Sequence, residues 1–408
     1  MSLVALPSTT NYCVEHVQEV ETFNQFQYGQ ISEEDAIRFL VTILPDFTTH
    51  EDDPCILTYF AQKTLQNCNY YIKKADHQRG WSGNHVFKVK KHGVKETQCY
   101  LKVFPRDNKA FLPEMFGLSY MQNVQEINCP KILNIGQCHR NNKDFFLVLE
   151  EKAPGHSIQD YIEKVGACST YTKDRAQRLI ELLKASERFG QALARFHKST
   201  LVEDKVFPQH FKDLIMNTFD KAVLSLEENP VEGIDILSLK AYVDESLNLM
   251  HCEDHLYSFT HDDIKTIHAF YDPKSNLVSL VNPHILSLSI DQDFKPIGLP
   301  LKDYYQYLLS IQLNRFGYEK DYDDQVIKKE LLTLLEVELV NNAFEESYQS
   351  IIKKDLTETE TNFFQLRHDL SFIANRHRPG VSSVEAVRIQ DLAEISIENI
   401  KNKLKEMN

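Results

Sequence analysis

His261-Asp262-Asp263-Ile264-Lys265-Thr266-Ile267-His268, with Val281-Asn282-Pro283-His284 following after a polar turn, is the stretch on which the reading of this chain depends. An aspartate at position 263 can accept or orient the proton of an attacking hydroxyl, and a lysine two residues on can neutralise charge on a transferring group. The same octapeptide is read about as well as a solvated turn after an apolar strand. Its flanks have to decide between the two.

Working outward, Asp272-Pro273-Lys274-Ser275-Asn276 is a polar turn between two β-like runs, Ala269-Phe270-Tyr271 and Leu277 to Val281. Upstream, Leu179, Leu182, Leu183, Phe189, Leu193 and Phe196 recur at steps of three and four, predicting a core-facing helix over 173–198. A shorter helix is expected over 157–165, opened by Pro154-Gly155. Before Pro154 the pattern changes to short strands at 70–74, 85–90, 99–104, 132–138 and 145–150, with one helix near 110–122. Three strands, a helix and two strands predict an antiparallel sheet with a helix packed on it. Ser32 before Glu33-Glu34-Asp35, with Ala36, Phe39, Leu40 and Ile43, predicts an N-terminal helix. Residues 301–408 read as amphipathic helices with charged outer faces. The expected division is an N-terminal helical extension over 1–55, a small α+β lobe over 56–152 and a helical lobe over 153–408.

Composition removes other classes. Hydrophobic residues at 42% and charged residues at 25% are ordinary for a globular protein. A net charge of -14 disfavours nucleic-acid binding, because phosphate backbones select basic surfaces. Apolar runs such as Phe145–Leu149 are too short for membrane insertion, and Met1–Thr10 does not read as a secretory signal. The eight cysteines show no Cys-x-x-Cys pair or zinc-like spacing, so reduced, mostly buried thiols and a cytoplasmic location are expected.

Upstream segments then supply a context in consistent order. Gly80-Trp81-Ser82-Gly83-Asn84 precedes a strand, as a phosphate-covering turn would, although a plain hairpin turn explains it too. In Tyr100-Leu101-Lys102, alternation puts Tyr100 and Lys102 on one strand face. Glu114 falls in the single helix of this region, and Glu150-Glu151-Lys152-Ala153-Pro154-Gly155 follows its last strand. Phe189-Gly190-Gln191-Ala192-Leu193-Ala194-Arg195-Phe196-His197 adds a Gly, Leu-Ala and His pattern on the long helix, and Lys302-Asp303-Tyr304-Tyr305 lies downstream.

Together these segments, over residues 69–310, resemble the aminoglycoside phosphotransferase and choline kinase family, whose catalytic loop reads His-Gly-Asp with a later Asn. The resemblance implies a two-lobed protein-kinase-like α+β fold and an ATP-dependent phosphotransferase. It implies that Gly80, Ser82 and Gly83 cover phosphates and that Tyr100 stacks on adenine. Lys102 reaches the phosphates and pairs with Glu114, backbone groups around Glu150 and Lys152 contact adenine, and Asp263 and Lys265 serve the transfer. The acceptor is a small molecule or a protein, and an acidic acceptor pocket would suit a cationic amine.

The pattern departs from the family at the metal positions. His268 stands where the family has an Asn ligand, Asn282 where it has an Asp, and Asp262 replaces the glycine. Magnesium prefers hard oxygen ligands, so magnesium or manganese is expected to be held weakly. Three readings follow: a divergent phosphotransferase, a pseudokinase that binds nucleotide or protein without transfer, and a helical interaction scaffold.

Overall fold

The structure is a computed structural model that describes residues 46–47, 54–74, 85–106, 111–121, 127–140, 143–204, 209–251, 255–283, 296, 298–321, 324–378 and 381–407. The expected N-terminal helix over 32–45 lies outside them. The chain divides into two compact units. One holds the described residues of Met1–Ala153 and Ser279–Lys295, the other those of Pro154–Val278 and Pro296–Asn408.

The first unit contains β1 (Asp46–Phe47), α1 (Pro54–Thr64), β2 (Tyr70–Lys74), β3 (His85–Lys91), β4 (Thr97–Pro105), α2 (Phe111–Met121), β5 (Ile132–Arg140) and β6 (Lys143–Glu151). Its sheet runs in the order β1-β5-β6-β4-β3-β2. The five strands read from the sequence pair antiparallel, as expected. The two-residue β1 adds a parallel neighbour to β5, and so short a strand leaves no alternation to read.

Alternation along β4 sorts its side chains between two layers. Cys99, Leu101 and Val103 face a core with Phe60 and Ala61 of α1 and with Leu147 and Leu149 of β6. On the opposite face the Phe111 ring of α2 packs against Phe104 and stacks on Phe146, with centroids 5.3 and 4.3 Å apart. Lys102 belongs to this second face.

The second unit begins with β7 (His156–Ser157), α3 (Ile158–Gly166), α4 (Lys173–Lys198), β8 (Val202–Asp204), α5 (Gln209–Glu228), α6 (Ile236–Met250) and β9 (His255–Tyr257). It continues through β10 (Ala269–Asp272) and β11 (Leu277–Leu280), along which the chain passes back into the first unit. After the return come α7 (Pro300–Leu313), β12 (Phe316–Lys320), β13 (Val326–Glu330), α8 (Leu334–Gln349), α9 (Glu358–Asn375) and α10 (Ser383–Met407). The α3 helix opens on a capping box in which Ser157 and Asp160 satisfy each other's backbone N–H groups. The α4 helix spans the range its periodicity predicts, and its Gly190 permits close approach to α8. A Cβ there would sit 2.2 Å from Ser347 Oγ and 2.6 Å from the Phe344 carbonyl.

One expectation needs correction. The β12–β13 hairpin interrupts a region read as wholly helical. Its strands are short and charged, and the Lys328 ammonium and the Tyr318 hydroxyl both donate to Asp391 of α10, which holds the hairpin by polar contacts. Cys99 and Cys129 are buried free thiols, Cys168 is half-buried and Cys68 is exposed. No helix among the described residues is long and apolar enough to cross a membrane.

Candidate functional site

In the first unit, strand register gathers a charged cluster on the α2 face of the sheet. Tyr100 lies opposite Glu150 and Lys102 opposite Val148, so Tyr100, Lys102, Val148 and Glu150 share that face. Lys102 Nζ donates to Glu114 Oε1 of α2 at 2.5 Å and lies 2.8 Å from Glu150 Oε1. It also donates to Asn282 Oδ1 at 2.6 Å. All three charged side chains are buried, at 3–5% exposure, so neither carboxylate is screened by water.

Asn282 is held in reach by the returning segment. Leu280 N–H donates to the Asn128 carbonyl at 3.0 Å, and Pro283 packs on α2 at Gly117. A Cβ at Gly117 would come within 2.7 Å of the Pro283 ring. Burial works against the Lys102 charge, but Glu114 and Glu150 outweigh it and hold the ammonium above its ordinary range. Burial pushes the Glu150 carboxyl up, against the pull of Lys102 and with the push of Glu114. Its second oxygen, Oε2, is buried without a hydrogen-bond partner among the described residues.

In the second unit, the 261–268 loop is fastened from beneath by α7. Asp303, buried in the first turn of that helix, accepts the backbone N–H of His261 at 2.6 Å and that of Asp262 at 3.0 Å. His197 of α4 stands with Nε2 3.3 Å from Asp303 Oδ2 and Nδ1 2.7 Å from the Tyr348 hydroxyl. Burial disfavours the Asp303 charge, yet His197 and Lys302 hold the carboxyl below its ordinary range.

Asp262 adopts φ +66°, a left-handed conformation, at the position where the family pattern has glycine. Aspartate tolerates that conformation better than most residues. Its buried carboxylate is met by Lys302 Nζ at 2.7 Å and by the Thr260 hydroxyl at 2.8 Å. Burial pushes the Asp262 carboxyl up, and Lys302 pulls it back. Lys302 and Thr260 thus supply the donors that a carboxylate buried at this left-handed position needs.

Asp263 is half-buried, with Oδ1 2.6 Å from Lys265 Nζ. His268 Nδ1 donates to the Asp263 carbonyl at 2.7 Å, closing the loop on itself. The residues read from the sequence thus fall into two groups: Tyr100, Lys102, Glu114, Glu150 and Asn282 in the first unit, and Asp263, Lys265 and His268 in the second. Lys152 is exposed, and Gly80, Ser82 and Gly83 lie outside the described residues.

The Glu150 side chain binds Lys102, a role the sequence reading missed by assigning this position to backbone contacts. The alternation of Phe146, Val148 and Glu150 along β6 carries that signal. Thr260 and Lys302 were missed as well, because an Asp–Lys pair 40 positions apart leaves no local pattern.

Magnesium and manganese are what the resemblance implies, and neither altered position fits them. Asn282 Oδ1 is directed at a lysine ammonium, and His268 offers imidazole nitrogen with Nδ1 already committed to a carbonyl. Among the described residues no group of three or more His, Cys, Asp or Glu side chains is arranged to hold a metal ion.

No protein-family model matches the sequence, and no curated protein does. Solved structures similar to the chain include a choline kinase from Cryptosporidium parvum, at 12% identity over 87% of this chain and 96% of that one, with a TM-score of 0.49. A Plasmodium vivax ethanolamine kinase follows at 11% identity, 92% and 96% coverage and a TM-score of 0.46. An aminoglycoside-3'-phosphotransferase of type VIII follows at 15% identity, 77% and 99% coverage and a TM-score of 0.43. At such values the case for function rests on the side chains and not on these likenesses. A six-stranded sheet carrying a Lys102–Glu114 pair, followed by a mainly helical unit that carries the 261–268 loop, resembles the protein-kinase-like fold that the motif order leads one to expect.

Proposed function

We propose that the chain is a divergent kinase-like phosphotransferase that binds ATP and transfers its γ-phosphoryl group to a hydroxyl of a small molecule. The observation that supports this best is the buried Lys102–Glu114 pair on a sheet face shared with Tyr100. Adenine stacks on Tyr100, and the ATP phosphates draw on Lys102. In the transfer, the acceptor oxygen forms the new P–O bond while the bond to the departing ADP oxygen breaks. The acceptor proton passes to the Asp263 carboxylate, and Lys265 offsets charge on the moving group.

One observation favours a second reading, nucleotide binding without transfer. The three N–H groups of Lys102 meet three oxygens, those of Glu114, Glu150 and Asn282, so phosphate has to displace one of them. Calorimetric titration with ATP and with adenosine, in magnesium, manganese or chelator, combined with an assay of ADP release, separates the readings. ATP is expected to bind, and Lys102→Ala to weaken ATP at least tenfold while sparing adenosine. Asp263→Ala is expected to abolish turnover without changing ATP affinity. ATP binding with no turnover in any metal selects the second reading, and failure of ATP to bind under every condition ends both.

A further inference from the structure

The α9 helix carries two consecutive polar side chains that the catalytic loop does not account for, Arg367 and His368. Its apolar side is the buried set Phe363, Phe364, Leu366, Leu370 and Ile373. Arg367 and His368 are half-buried, and Arg367 Nε and His368 Nε2 are closed to solvent with no hydrogen-bond partner among the described residues. Neither side chain makes a hydrogen bond or ion pair to any described residue. Both nevertheless stand beside the loop: the Asp262, Asp263 and Asp303 carboxylates act on Arg367, and Arg367, Lys302 and Lys265 act on His368. The His368 ring also lies 5.9 Å from the ring of Tyr305, whose hydroxyl donates to Gln365 and ties α7 to α9 at this place.

The neighbouring carboxylates already have partners at hydrogen-bond distance: Asp262 has Lys302, Asp263 has Lys265, and Asp303 has His197 and two backbone N–H groups. Arg367 Nε is left as a buried donor without an acceptor among the described residues, a state that folded proteins rarely leave unless something completes it. Guanidinium matches carboxylate and phosphate bidentately and is always charged. We propose that Arg367 and His368 form a subsite for an oxyanion carried by the acceptor, so that the acceptor is a small hydroxyl compound bearing a carboxylate or phosphate and not a cationic amine. Burial and the nearby cations keep His368 neutral, well below its ordinary range, so it contributes a hydrogen bond while Arg367 contributes the charge. That the anion belongs to the acceptor rests on the phosphotransferase reading; that these side chains bind an oxyanion does not.

The test is nucleotide-free calorimetric titration of the full chain with glycerol 3-phosphate, D-glycerate, glycerol and choline. The two anions are expected to bind, and glycerol and choline to show no heat. Arg367→Gln should weaken the anions at least tenfold, the scale of a lost charge-assisted hydrogen bond, and Arg367→Lys should recover part of that. His368→Ala gives an independent, smaller loss and carries the test if Arg367→Gln does not fold. Choline binding, anion affinity unchanged in Arg367→Gln and His368→Ala, or no binding of either anion overturns the subsite. ATP titrated separately distinguishes the two proposals: anion binding without ATP binding confirms the subsite and removes the acceptor role.

Discussion

Two buried lysines, Lys102 in the first unit and Lys302 in the second, solve the same problem to different degrees. Lys302 meets the Asp262 carboxylate, while Asp303 beside it is served by His197 and two backbone N–H groups. Every carboxylate there has dedicated donors, and the outcome is a fixed loop. Lys102 instead serves two carboxylates at once and a neutral amide oxygen, so the cluster carries one negative charge more than positive and leaves Glu150 Oε2 orphaned. The difference teaches that burial alone does not mark a structural ion pair. The first cluster of carboxylates is fully met and positions backbone, whereas the second leaves one acceptor, Glu150 Oε2, without a donor among the described residues while all three Lys102 N–H groups are occupied.

The comparison breaks most readily at its strongest member. Replacing Lys302 in Lys302→Met leaves the Asp262 carboxylate buried beside Asp303 without its ammonium, which should cost about 3–5 kcal/mol of stability. Urea unfolding measures it, and a loss below about 1 kcal/mol would mean that Asp262 is not held by this pair. The equivalent Lys102→Met should cost less, about 3 kcal/mol at pH 7, because Glu150 is already pushed toward its neutral form and can take up a proton. The same experiment at pH 5 should show a smaller loss than at pH 7. An equal loss at both pH values would contradict the charge excess assigned to this cluster.

How far these clusters were legible in sequence follows from the range of the interactions. Strand alternation placed Tyr100 and Lys102 together, and motif order placed Glu114 in the facing helix, because both signals are local and periodic. The partners that settle each lysine's state are distant in sequence. Asn282 is 180 positions from Lys102, and Lys302 is 40 from Asp262. Arg367 and His368 read as ordinary polar positions of an amphipathic helix, since an unpaired donor is a property of its surroundings and not of its own segment. The departures from the family pattern were visible as substitutions, but their compensation was not. Asp262 is legible only as a residue differing from the pattern; its left-handed conformation and its Lys302 and Thr260 partners come from the structure.

The smallest expected effect separates the two clusters by sign. In Glu150→Gln, Lys102 keeps Glu114 and Asn282, the amide oxygen can still accept from Lys102, and the cluster becomes neutral. Because the isosteric amide removes the excess charge and still accepts from Lys102, stability at pH 7 should change by no more than about 1 kcal/mol. The pH dependence is the sharper readout. A carboxyl whose pKa is raised on folding binds more protons in the native state between its unfolded and folded pKa values, so stability falls as pH rises through that window. The natural chain should therefore gain stability from Glu150 on acidification from neutral pH, and Glu150→Gln should lose that gain. Asp303 runs the other way: its carboxyl is held low, so its contribution is present at neutral pH and is lost as pH falls through its folded pKa. Asp303→Asn should accordingly be costly at pH 7 and far less so in strong acid. If Glu150→Gln instead costs as much as Lys302→Met, or leaves the pH slope of unfolding unchanged, Glu150 is an integral ion-pair partner and the contrast between the two lysines disappears.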